Sequence, residues 1–156
     1  MAHRMTSEEV DVTEEVDFDV IKENWTRFNL SDNTLLRVRI GVLKIVKRGT
    51  SDIGTPNFAV ASQNILSTIV PKSMVKKDAA KRPEREVTAD DIKAGTDLDF
   101  DFVEKPEWQE YRTKDNWIVM IRPEVGKIVR LNLYNELGEP AYWANIQSSF
   151  RVRKAS

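Results

Sequence analysis

The sequence predicts an all-β protein: an internally duplicated β-barrel or sandwich of six to eight strands in a pseudo-twofold arrangement. Three observations lead there. Several segments alternate apolar and polar residues, the period of a strand with one wet face. No window carries a long apolar stripe at the 3.6-residue period of a helix. A set of short motifs also recurs, in the same order, after 82 to 84 residues.

The repeat begins with Val16-Asp-Phe-Asp-Val20, which returns as Leu98-Asp-Phe-Asp-Phe102. Moving 83 residues along, Trp25 meets Trp108, Phe28 meets Tyr111, Asp32-Asn33 meets Asp115-Asn116, and Arg39 meets Arg122. Lys44-Ile-Val-Lys47 matches Lys127-Ile-Val-Arg130 at the same spacing. After one more slip, Gly54-x-Pro56-x-Phe58-x-Val60 matches Gly138-x-Pro140-x-Tyr142-x-Ala144, and Gln63 matches Gln147. The expected organisation is a disordered acidic tail over 1–15, a first unit over 16–70, a basic and polar linker over 71–97, and a second unit over 98–154. A unit of this size buries little surface alone, so two units packed together share a core and cover each other's edges.

Each element has its own local reason. Trp25 to Leu30 reads as a strand entering the turn Ser31 to Thr34, where Asp and Asn bond their own backbone or accept positive φ. Leu36, Val38 and Ile40 then alternate with Arg37 and Arg39. Beyond Gly41 the apolar phase moves to Leu43 and Ile45, which predicts a bulge in one long bent strand. A loop closing on Gly54-Thr-Pro56 precedes a strand from Asn57 to about Val70. In the second unit Trp117 to Arg122 starts the long strand, and Pro123 removes one ladder bond, as at an edge or bulge. The turn before Pro140 leads to a return strand from Tyr142 to Arg153. Between the units, Ser73 to Ala80 reads as linker or short helix, and Thr88-Ala-Asp-Asp91 has the pattern of a capping box. Trp25 and Trp108 are expected in the core, and with the Asp-Asn and Gly-x-Pro turns they mark the repeat.

Composition limits the chemistry. The chain has 156 residues, no cysteine and one histidine, His3. Disulfides, thiolate metal sites and a cysteine nucleophile are excluded, as are multi-histidine metal sites. The phosphate-binding and metalloprotease motifs are absent. Asp97, Asp99 and Asp101 alternate with Leu98, Phe100 and Phe102, so the carboxylates read as the wet face of a strand and the apolar residues as its inner face. No cofactor, no metal and no enzymatic activity are expected. The longest apolar run, Trp117 to Ile121, is far short of the roughly 20 residues of a membrane span. With no leader pattern at the N-terminus, the expectation is a cytoplasmic protein without a membrane partner.

The formal net charge of −1 conceals a polarity. Residues 1–19 hold seven acids against Arg4, which leaves residues 20–156 near +5. Bases gather as Arg37, Arg39, Lys44, Lys47 and Arg48 in the first unit, as Arg130, Arg151, Arg153 and Lys154 in the second, and as Lys76, Lys77, Lys81, Arg82 and Arg85 in the linker. The units also differ at matched positions: Trp117 stands against Thr34 and Trp143 against Ala59. Alternation turns Tyr142 inward and Trp143 outward. The favoured reading is therefore a non-catalytic accessory subunit or adaptor of a larger protein assembly. Trp143 and Trp117 are its anchors, with Arg151 and Arg153 at the rim. The alternative is a β-barrel that binds single-stranded RNA or DNA through Arg37, Arg39, Lys47, Arg48, Arg130 and Lys154.

Overall fold

In a computed structural model, residues 13–50, 53–78 and 86–156 are described. Of the expected disordered tail over 1–15, residues 1–12 lie outside them, as do His3, Lys81, Arg82 and Arg85, whereas 13–15 belong to the first strand instead. Among the described residues ten strands run in chain order: β1 (Thr13–Val16), β2 (Phe18–Lys22), β3 (Thr26–Leu30), β4 (Leu35–Thr50), β5 (Pro56–Ile69), β6 (Thr96–Leu98), β7 (Phe100–Phe102), β8 (Gln109–Thr113), β9 (Trp117–Tyr134) and β10 (Pro140–Lys154). A 3-10 turn at Lys72–Met74 and a short helix α1 (Ala89–Ala94) lie between β5 and β6. The protein is thus all-β apart from these two turns of helix. The count exceeds the expected six to eight because each Asp-Phe-Asp segment divides into two short strands, β1 and β2 in the first half and β6 and β7 in the second.

The strands form two antiparallel sheets of five. In the first, β4 is flanked along its length by β5, and on its other side by β3 at one end and β1 at the other. In the second, β9 is flanked by β10, and on its other side by β8 and β6. Each sheet gains its fifth strand from the other half of the chain: β7 pairs with β3, and β2 pairs with β8. No ladder joins the two sheets among the described residues.

The recurring Asp-Phe-Asp motifs make this exchange. β1 and β2 are separated by Asp17 alone, and β6 and β7 by Asp99 alone, so the chain changes sheet at each aspartate. Both corners are held alike: the Asp17 carbonyl accepts Lys114 N–H at 2.9 Å, and the Asp99 carbonyl accepts Ser31 N–H at 2.9 Å. The expected single alternating strand from Asp97 to Phe102 is therefore replaced by two strands of different sheets. Leu98 is buried, whereas Phe102 is half-exposed and rests against Phe28.

The core sits between the sheets in two clusters. One joins Phe28, Leu36 and Val38 of the first half to Leu98 and Ile128 of the second. The other joins Tyr111, Val119 and Ile121 of the second half to Ile40 and Ile45 of the first. Edge-to-face contacts reinforce both, Phe28 with Phe100 and Phe18 with Tyr111.

The bends of the long strands are bulges. The β4–β5 register slips between Val42 and Lys44, and the β9–β10 register slips so that Gly126 is the extra residue. The bulged residue in β4 is Leu43. It is 59 % exposed, so the apolar phase passes from Val42 to Ile45 rather than through Leu43. Asn33 and Asn116 adopt φ of 69° and 67° in the two Asp-Asn turns, and Gly54 and Gly138 adopt 85° and 81° before Pro56 and Pro140. These conformations favour Asn and Gly over other residues. Of the linker helices, the 73–80 expectation reduces to the 3-10 turn. The Thr88 capping box forms: the Thr88 hydroxyl accepts Asp91 N–H and the Asp91 carboxylate accepts Thr88 N–H.

Candidate functional site

The two tryptophans at the starts of β3 and β8 organise the most distinctive surface chemistry. Trp25 immediately precedes Thr26, whose register partner is Val38, so it lies beside Arg39 on the outer face of the first sheet. Leu36, Val38 and Ile40 point inward, which turns Arg37 and Arg39 out over the indole. Their guanidinium carbons stand 4.8 Å and 4.5 Å from the Trp25 ring centroid. Such a contact contributes about 0.5–1 kcal/mol when exposed and about 2 when desolvated. Arg37 donates to Ser67 Oγ at 2.7 Å, while the Nε atoms of Arg37 and Arg39 are buried without an acceptor.

Trp108 is treated similarly. Arg122 and Arg151 stand 4.3 Å and 5.2 Å from its ring centroid. Here Arg122 donates to Glu124 at 3.1 Å, and an open groove of about 450 Å³ beside the indole is lined by Lys22, Glu104, Glu107 and Glu110. The Trp108 face is therefore charge-balanced, whereas the Trp25 face presents two guanidinium groups and no carboxylate partner among the described contacts. Neither indole belongs to the core clusters, contrary to the sequence expectation. A tryptophan flanked by arginines on alternating positions buries one ring face under cations and needs no place in the interior.

The predicted protein anchors are not brought together. Trp117 opens β9 opposite Lys154, and Trp143 lies opposite Val129, twelve residues further along the same strand. That spacing is roughly 40 Å. Trp143 is half-buried beside Val129, which is fully buried. The chain around α1 covers this face: Gly95 packs against Val129, and Asn132 donates to the Ala94 carbonyl at 2.8 Å. Of the predicted rim, Arg151 stacks on Trp108, and Arg153 lies 3.7 Å from Glu110.

The predicted nucleic-acid residues are similarly divided. Arg37 and Arg39 form the Trp25 face, and Arg48 and Lys154 are exposed. Lys47 and Arg130 instead tie the halves together, Lys47 to Asp115 at 2.8 Å and Arg130 to Asp32 at 3.1 Å. Each tie joins the turn of one half to the Lys-Ile-Val strand of the other. Asp32, with a side chain only 5 % exposed, also accepts from the Tyr142 hydroxyl at 2.7 Å and from Thr34 N–H at 3.0 Å. Burial alone raises its pKa, but the bonds from Tyr142, Thr34 and Arg130 outweigh it and hold the carboxyl below its ordinary value. The Thr34 hydroxyl meets Tyr142 at 2.8 Å. At the matched site Phe58 has no hydroxyl, and Trp117 replaces the threonine.

Gln109 is a residue that sequence reasoning missed. It is fully buried, its Oε1 accepts Ile40 N–H at 2.9 Å, and its Nε2 donates to the Ile40 carbonyl at 2.8 Å. Its Nε2 also lies 2.6 Å from the Tyr111 hydroxyl, which donates to Glu23. The β3–β4 ladder ends at Val38 and the β1–β4 ladder begins at Ile45, so Ile40 sits in a gap with no strand on that side. The matched position in β9 is Pro123, in the gap between β8 and β6, and it has no N–H to satisfy. β9 is flanked on both sides, so Pro123 marks this gap, not an edge. The signal in the sequence was an amide in phase with inward Tyr111 and Thr113.

Asp97, Asp99 and Asp101 are exposed, with Lys127 Nζ 3.7 Å from Asp97. No group of three or more His, Cys, Asp or Glu is arranged to hold a metal among the described residues. No helix there is long and apolar enough to cross a membrane. No family model, no curated protein and no solved structure matches the chain.

Proposed function

We propose that this is an internally duplicated, non-catalytic interaction protein, an accessory subunit or adaptor that works in the cytoplasm and engages an acidic segment of its protein partner through the Trp25 face. The observation that carries the reading is the pair of half-buried guanidiniums stacked on Trp25 with no carboxylate partner among the described contacts. A partner carboxylate pairs with the outer nitrogens of these half-buried arginines, and tryptophan and arginine are the residue types that dominate binding energy at protein interfaces. Trp143 and Trp117 are less suited to one anchor because Trp117 opens β9 while Trp143 lies on β10, far along the ladder between them. The duplication is supported by the matched sheet orders, by the paired corners at Asp17 and Asp99, and by reciprocal ties from Asp32 and Asp115.

A single-stranded nucleic acid is the second reading, because the same stack offers a phosphate ligand and an aromatic surface. Binding of a fluorescent poly-glutamate peptide and of an oligothymidylate at several salt concentrations separates the two. The proposal expects peptide binding that Arg39→Gln weakens at least tenfold, with a smaller loss for the oligonucleotide. Steep, salt-dependent oligonucleotide binding with no peptide binding favours the second reading. Peptide affinity unchanged in Arg39→Gln and in Arg37→Gln overturns the Trp25 assignment.

A further inference from the structure

We infer that β5 is the pairing edge of a homodimer, in which two copies of this chain join β5 to β5 antiparallel about a twofold axis at Gln63. The inference is independent of the Trp25 reading. β5 pairs with β4 on one side, and no ladder occupies its other side among the described residues. The Gln109 clamp fixes which backbone groups are free. Ile40 directs its N–H and carbonyl to Gln109, away from β5, so Ile40 and Asn64 form a pair without mutual hydrogen bonds. The N–H and carbonyl of Asn64 therefore point to the open edge. Alternation extends this to Phe58, Val60, Ser62, Leu66 and Thr68.

An open edge of this length is normally guarded by lysine, by an internal proline or by a bulge. β5 has none of these. Residues 56–69 contain no charged side chain, the only proline is its first residue, and the slips in the β4–β5 ladder add their extra residues to β4. The other long edge strand, β10, is guarded at its end by Arg151, Arg153 and Lys154.

The strand is complementary to itself. A twofold axis at Gln63 places Ser62 opposite Asn64, Val60 opposite Leu66 and Phe58 opposite Thr68 of the second copy. All six free backbone pairs then bond mutually. On the outer face Ala61 meets Ile65 and Gln63 meets Gln63. No charge is buried by this pairing, and it closes at two copies because the interface is isologous. The two first sheets become one continuous sheet, with both Trp25 faces on the same side and roughly 24 Å apart across the strands.

Gln63 is exposed, so its replacement tests the interface without touching the core. Sedimentation velocity on the full chain, from micromolar to near-millimolar concentration at low salt, is expected to show a dimer. Gln63→Lys and Gln63→Glu, each placing like charges across the axis, shift it to monomer by at least tenfold in dissociation constant. An equimolar mixture of the two variants restores the dimer. Unfolding midpoints of the single variants verify that each still folds. A wild-type chain that stays monomeric throughout overturns the inference. So does a dimer that both variants leave intact, growth beyond two copies through β10, or a mixture of folded variants that fails to pair.

Discussion

Replacing Gln109 with leucine tests how the two sheets are joined. The side chain reaches from β8 to the Ile40 backbone in the opposite sheet, and both residues are fully buried. Leucine fills most of the same space and leaves the Ile40 N–H and carbonyl without partners or water. An unsatisfied buried donor or acceptor costs about 1–3 kcal/mol. Two such groups cost about 2–6 kcal/mol, and the gain from burying a methyl-terminated chain in place of an amide leaves a loss of about 2–4 kcal/mol. Against a typical total of about 5–15 kcal/mol this is severe. For a chain of this size it lowers Tm by roughly 5–15 °C. Urea unfolding followed by tryptophan fluorescence measures it, with the midpoint falling and the slope unchanged. A midpoint within about 1 kcal/mol of wild type refutes the argument that Ile40 depends on this amide.

Two further perturbations address the other joints. Asp32→Asn removes a carboxylate that accepts from Tyr142, Thr34 and Arg130, and costs about 2–3 kcal/mol at pH 7. Since the folded carboxyl titrates below its unfolded value, this stability is complete above about pH 4 and disappears as pH falls through the lower folded value. Unfolding at pH 7 and pH 3 is expected to show a larger wild-type advantage at pH 7 than at pH 3; an equal advantage at both values contradicts the assignment. Gly95→Ala places a Cβ 2.5 Å from Val129 Cγ1 and 2.7 Å from the Arg130 carbonyl, both fixed in β9. It should cost about 1–3 kcal/mol and loosen α1, and an unchanged unfolding midpoint argues against tight docking there.

The local chemistry of the fold was legible in the sequence. Positive φ at Asn33 and Asn116, the capping box at Thr88 and the slip in phase near Leu43 all follow from residues within a few positions of one another. What joins distant segments was not. Alternation states which face a residue takes but not which sheet its strand enters, so Asp99 reads as a wet position within a strand instead of a corner. Lys47 and Arg130 read as surface bases because their partners, Asp115 and Asp32, lie far away in sequence. Trp25 and Trp108 were assigned to the core because hydrophobicity alone does not distinguish an indole packed in the interior from one roofed by arginine. The candidate site was half visible: Arg37, Arg39 and Arg151 were named, but their tryptophans were not recognised as part of it.

The exchange of β2 and β7 also sets the order in which this chain can fold. Phe18 pairs with Thr113 and Val20 with Tyr111, closing a loop of more than ninety residues. Loop closure of that span must precede the contacts that reward it, and such topologies fold slowly. During synthesis the first half leaves the ribosome with β2 unpaired and with β3 lacking its neighbour β7. It waits there, apolar edges open, until β8 has emerged. The same crossing that locks the finished molecule makes its nascent first half dependent on delay, and on whatever in the cell protects exposed strands during it.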